Sequence, residues 1–112
     1  MRYLVFGVLS CILASSASAT TYSYVGTINR MGSYLLGPDS DFIVLNGFAS
    51  AGICPTSDGL VVARFPSGES GNRGYALAVS AKMANKQVRL AVDDAYKNSS
   101  GNCFVKSIQV SE

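Results

Sequence analysis

The first hydrophobic pattern along the chain is an apolar stretch over residues 4–13, interrupted only by Gly7 and Ser10, with Met1-Arg2-Tyr3 before it and Ala14-Ser15-Ser16-Ala17-Ser18-Ala19-Thr20 after it. A positive start, a short apolar run and small residues one and three positions before a cut describe a secretory signal peptide. Ala17-Ser18-Ala19 places the cut between Ala19 and Thr20. A spanning helix needs roughly 18 or more apolar residues, so neither this run nor any later one predicts a membrane span. Val8-Leu9-Ser10-Cys11 faintly resembles a lipoprotein cleavage site, but a cut there leaves only about six apolar residues, fewer than a signal peptide uses.

Beyond the leader, residues 21–31 are rich in Thr, Tyr, Val and Ile and predict a strand, with Gly26 marking a bulge or sharp bend. Gly37-Pro38-Asp39-Ser40 predicts a turn. Residues 42–48 form a nearly continuous apolar run that reads as a second strand covered on both faces. A loop over 52–59 follows, then a third strand over 60–65, which Pro66-Ser67-Gly68 ends. Residues 75–84 change character, with alanines, Leu and Met favouring a helix over about 72–85. Tyr75, Val79 and Met83 are its expected inward stripe, Ser70 or Asn72 its N-cap, and Asn85 its left-handed terminator. Val88, Leu90 and Val92 then alternate with Arg89, Ala91 and Asp93, the period of a half-buried strand. Asp93-Asp94 and residues 98–101 surround a polar loop, and residues 103–110 make the last strand.

Three strands, one helix and two strands is the order of the OB-fold, a five-stranded, partly open Greek-key barrel. The sequence therefore predicts a mainly β protein with one helix, β-β-β-α-β-β, over residues 20–112; an α+β sandwich is the alternative.

Loss of residues 1–19 removes Cys11 and leaves Cys54 and Cys103, which in a small exported chain predicts one disulfide with one possible pairing. It also removes Arg2 and lowers the net charge from +2 to +1. The remaining Lys and Arg are scattered, so nucleic-acid binding has no electrostatic footprint.

The chain contains no histidine. With both cysteines in a disulfide, Ser-His and Cys-His nucleophiles and the usual zinc ligand sets are excluded, and neither an enzyme nor a cofactor is expected. Adjacent Asp93 and Asp94 would face opposite sides of a strand and cannot act together on one atom. Asp39 and Asp41 flank a turn, where Asp serves the backbone. Tyr22, Tyr24 and Tyr34 fall in or beside the first strand, interleaved with Ser23. A tyrosine face packs on the C–H face of a sugar and its hydroxyl hydrogen-bonds it, while the same residues also serve simply as half-buried strand packing. Arg64 and Arg73 flank the entry to the helix, where a guanidinium fork could hold a ligand carboxylate such as that of a sialic acid. Asn98-Ser99-Ser100 fits the glycosylation sequon and is read as a loop.

The segment from Tyr75 through Ala84-Asn85-Lys86-Gln87 to Leu90, with Gly52-Ile53-Cys54 and Asn102-Cys103, resembles small exported bacterial proteins similar to the subtilase cytotoxin B subunit and its pertussis-like relatives. The resemblance covers roughly residues 52–110. It implies an OB-fold subunit that binds host-cell glycans, assembles as a homopentameric ring and partners an enzymatic A subunit. The serine beside aromatics in the sugar pocket of those toxins would correspond to Tyr22-Ser23-Tyr24. Two readings follow: a secreted, non-catalytic glycan-binding module, or a periplasmic structural domain that binds a protein partner.

Overall fold

The computed structural model describes residues 20–35 and 37–111; the expected leader, with Cys11, lies outside the described residues. The chain forms β1 (Thr21–Ser33), β2 (Asp41–Leu45), β3 (Thr56–Ser57), β4 (Leu60–Val61), β5 (Ala63–Arg64), α1 (Glu69–Met83), β6 (Gln87–Lys97) and β7 (Cys103–Ser111). β1 is long enough to serve two neighbours. Its first half pairs antiparallel with β6 from Thr21↔Asp93 to Thr27↔Gln87, and its second half pairs with β2 from Ile28↔Leu45 to Ser33↔Asp41. β2 pairs with β5, β5 lies parallel to β7, and β7 returns antiparallel to β6, so the ring β1-β2-β5-β7-β6 closes as a barrel. The mainly β architecture with a single helix after the third barrel strand agrees with the sequence pattern.

Inward-facing residues alternate along each strand, as the period of two requires. Ile43 and Leu45, Ala63, Leu90 and Val92, and Cys103 are at most 1% exposed and meet inside the ring. Cys54 and Cys103 are joined as expected, with Cα atoms 5.5 Å apart. The bond ties the excursion between β2 and β5 to the first residue of β7.

Several local details differ from the pattern. The extra residue in β1 is Asn29, where the register to β2 shifts between Ile28 and Arg30; Gly26 stays in register with Val88. Gly26 is required for another reason: a Cβ there would stand 2.8 Å from the Asn46 carbonyl oxygen. The third strand is broken. Leu60–Val61 folds back on Thr56–Ser57 through Asp58 (φ 55) and Gly59 (φ 80), and only Ala63–Arg64 joins the barrel. Asp-Gly between two short strands is a hairpin signal, because both residues tolerate the left-handed conformation that a tight hairpin turn needs. β6 runs on to Lys97, carrying Asp93 and Asp94 inside a strand rather than a loop.

The helix begins earlier than its composition indicates. Gly68 (φ 108) precedes Glu69 without a side-chain cap, and Ser70 and Asn72 lie within the helix rather than capping it. Glu69 places a carboxylate at the positive end of the helix dipole. The other end follows the expectation: Asn85 (φ 57) donates its N–H to the Lys82 carbonyl (3.1 Å) and Lys86 N donates to that of Ala81 (2.9 Å), a Schellman closure. The expected stripe is corrected, since Val79 is 39% and Met83 83% exposed while Gly71, Ala78 and Ala81 are buried. The inward face is built of small residues because the helix lies close against the barrel. A Cβ at Gly71 would run into the Pro66 carbonyl, and one at Gly74 would stand 3.1 Å from the Phe65 ring.

Candidate functional site

The parallel pairing of β5 with β7 brings together residues far apart in sequence. Phe42 sits opposite Arg64, and Arg64 opposite Phe104, so the three form one row across β2, β5 and β7. Their neighbours Ile43, Ala63 and Cys103 point into the core, which turns this row to the outer face. Gly32 extends the row into β1: it pairs with Phe42 and leaves room for the ring, whose edge stands 3.2 Å from where a Cβ would be.

Each end of the row carries a ring pair. Tyr34 stacks on Phe42 with centroids 5.3 Å apart and planes at 25°, and Tyr96 leans on Phe104 at 4.7 Å and 48°. Tyr34 and Tyr96 are the outer members, 62% and 46% exposed. Between the pairs, the Arg64 guanidinium carbon lies 5.0 Å from the Tyr34 centroid and 5.7 Å from that of Phe42, within cation–π range. Arg64 Nη1 donates to the Ser40 carbonyl (3.0 Å) and Nε to Asn102 Oδ1 (3.3 Å). It thereby bridges the loop after β1 and the loop after β6. Among the described residues no protein group accepts from Nη2.

Both loops are fixed by their own polar side chains. Asp39 and Ser67 exchange hydrogen bonds, Ser67 N donating to Asp39 Oδ1 (2.6 Å) and Asp39 N to Ser67 Oγ (2.7 Å), which ties the first loop to the start of α1. In the second, Asn98 Oδ1 accepts from Ser100 N (3.0 Å) and Asn102 N (2.9 Å). The sequon asparagine thus organises its own turn and holds Asn102 where Arg64 meets it. The arginine is held before any ligand arrives, so binding is spared much of the roughly 0.5–1.5 kcal/mol that immobilising such a side chain costs. Behind this face Tyr75 packs edge-on against Phe65, and burial, then the nearby Asp41 carboxylate, raise its phenol pKa above the ordinary value.

Comparison with protein-family models, with curated proteins and with solved structures finds no match for this chain.

Of the residues singled out from sequence, the structure brings only Tyr34 and Arg64 to this face. Tyr22 and Tyr24 share a face of β1 but start a strand whose other end leads to Tyr34, ten residues on and roughly 33 Å away along an extended chain. Tyr24 stacks on Phe48 at 5.3 Å with planes at 5°, and its hydroxyl covers Gly47 (φ 87). Tyr22 packs against the core and covers Gly52 (φ 57) together with the Asp94 carboxylate. Both tyrosines are doing packing work, and Ser23 between them is exposed opposite Ala91. Arg73 pairs with Glu69 at 3.6 Å, one helical turn away, and lines a separate groove of about 350 Å³ between α1 and β7 with Leu77, Lys106 and Ile108.

The adjacent aspartates are engaged by the fold. Asp93, 9% exposed, accepts from Ala95 N (2.9 Å) and lies 3.8 Å from Lys106 Nζ, while Asp94 Oδ1 accepts from Thr20 N (3.2 Å). Among the described residues no cluster of three or more His, Cys, Asp or Glu could hold a metal, and no helix is long and apolar enough to cross a membrane. Sequence reasoning passed over Phe42, Tyr96, Phe104 and Asn102. The available signal was weak: Phe42 and Phe104 each sit beside a residue that reads as core, which makes them look like core too.

Proposed function

We propose that this chain is an exported, non-catalytic binding module built on an OB-type barrel, and that it recognises carbohydrate across the outer face of β2, β5 and β7. The observation that carries the reading is the arginine set in a row between two ring pairs whose outer members, Tyr34 and Tyr96, are exposed. Sugars offer apolar C–H faces, which pack on aromatic rings, and hydroxyls, which take hydrogen bonds from a fixed guanidinium or amide. Around the ring the barrel strands run first, second, third, fifth, fourth, with the helix between third and fourth. In an OB-fold the second and third strands, with the first and last of the barrel loops, form the face that takes oligosaccharides and oligonucleotides. Phe42 and Arg64 lie on those two strands, and Ser40 and Asn102 in those two loops. The small net charge favours sugar over a phosphate backbone.

The resemblance to toxin B subunits supports the same reading and adds ring assembly with an enzymatic partner, which light scattering on the oxidised protein addresses directly. Binding of sugars to protein 20–112, measured by glycan array and titration, tests the proposal. Arg64→Ala should weaken binding at least about tenfold, the effect of losing a buried-edge arginine contact. Absence of sugar binding to the oxidised protein overturns it. One observation favours a second reading, a partner-binding domain: Val79 and Met83, one helical turn apart, leave an apolar strip on α1 exposed.

A further inference from the structure

We infer that the ligand is the interior of a linear oligosaccharide, bound as at least two linked sugars that straddle Arg64, rather than a single terminal sugar in a pocket. This rests on the carbohydrate reading of the same face and adds the ligand's length and orientation.

Three observations carry it. The ring pairs stand one strand to either side of Arg64, so Phe42 and Phe104 are separated by two strand spacings, roughly 10 Å. One pyranose cannot cover both positions, whereas two or three linked ones can. The outer rings, Tyr34 and Tyr96, are the exposed ones, so each end of the row opens to solvent and the chain can run on past it. A site for one terminal sugar would instead be an enclosed hollow. Two hollows among the described residues, about 350 and 260 Å³, include none of Tyr34, Phe42, Arg64, Tyr96 or Phe104, although the smaller is lined by Asp39 and Ser40 of the loop after β1.

The chemistry at the centre fits a linkage rather than an end. Arg64 donates from Nε and Nη1 to the protein, and no protein group among the described residues accepts from Nη2, which leaves that nitrogen as its donor for a ligand. Asn102 Oδ1 is occupied by Arg64, which leaves its amide nitrogen to donate beside it. Donors alone at the middle of the row suit the acceptor oxygens that line the edge of a sugar chain. The direction is also fixed: the chain crosses β2, β5 and β7 from the loop after β1 toward the loop after β6.

The test is an array carrying linear glycans as length series from one to six units, with oligothymidylates of matched length, probed with oxidised protein 20–112. Binding should strengthen by about tenfold or more between one unit and three or four, then level off, because a second ring pair adds on the order of one tenfold step. Tyr96→Ala and Tyr34→Ala, each removing the exposed member of a ring pair, should each remove that gain in protein that is still fully folded at the assay temperature. Equal binding of single sugars and longer chains overturns this inference and leaves the carbohydrate reading standing. Binding to no glycan, or to oligothymidylates in preference, overturns both.

Discussion

Severing the Cys54–Cys103 bond should cost more stability than any other change in the molecule. The two residues lie 49 apart in sequence, with Cys103 fully buried and Cys54 6% exposed. For a loop of this length the chain-entropy relation gives about 4 kcal/mol at 25 °C. A domain of about 93 residues has a total stability of roughly 5–14 kcal/mol, so the bond supplies a large fraction of it. With each kcal/mol worth about 4–8 °C in midpoint at this size, the transition should fall by roughly 16–32 °C. Cys54→Ala/Cys103→Ala is the appropriate variant, because serine would add a buried hydroxyl and its own desolvation cost. The measurement is thermal unfolding by circular dichroism for the oxidised protein, the reduced protein and the double alanine variant. The reduced and double-alanine proteins should agree with each other and fall well below the oxidised one. A gap under about 5 °C, or two titratable thiols in protein recovered from an oxidising compartment, would show that the loop is not restrained as described. Cys103 follows Asn102, the partner of Arg64, so sugar affinity should fall with the bond as well.

Gly71→Ala should destabilise by about 1–3 kcal/mol in urea unfolding, since the added methyl has no room beside the Pro66 carbonyl; an unchanged midpoint would mean the helix does not start where described. Tyr75 has its phenol pKa raised in the folded state, so above the ordinary value of about 10 the unfolded chain loses that proton first and stability falls as pH rises through that window. Tyr75→Phe should remove that component, and parallel pH dependences for the two proteins between pH 9 and 11 would contradict it. In protein beginning at Thr20 the terminal ammonium lies against Asp94 Oδ1, 3.2 Å away, so Asp94→Asn should cost about 0.2–1 kcal/mol there and less once residues are added ahead of Thr20. Equal losses in both forms would assign Asp94 a role independent of the terminus.

The large-scale plan was legible because it is written in local patterns. Alternation at Val88, Leu90 and Val92, the alanine-rich helix ending at Asn85, and two cysteines with one possible pairing each report on their own neighbourhood. The helix face misled because its largest apolar residues are not its buried ones. Gly71, Gly74, Ala78 and Ala81 follow helical spacing equally well, but small residues score weakly for burial. The broken third strand was written in Asp58-Gly59, a turn pair inside what read as a plain loop. The candidate site was the least legible part. Phe42, Arg64 and Phe104 sit on three separate strands and become neighbours only through the parallel pairing of β5 with β7, for which no local pattern exists. Tyr22-Ser23-Tyr24, compact in sequence, lies at the other end of β1 from Tyr34, because neighbours along a strand share a surface only with what the fold brings beside them.

The most direct test of the central claim is where a bound sugar perturbs the protein. Two-dimensional ¹H–¹⁵N spectra of oxidised protein 20–112, recorded with the arginine Nε–H and asparagine side-chain resonances in view, can be titrated with the strongest ligand from the array. Shifts concentrated at the Arg64 Nε–H, the Asn102 side chain and the backbone of residues 37–40 and 98–102 are the predicted result. Shifts at Tyr22, Ser23 and Tyr24, or in the groove beside Arg73, with the Arg64 and Asn102 signals unmoved, would contradict it.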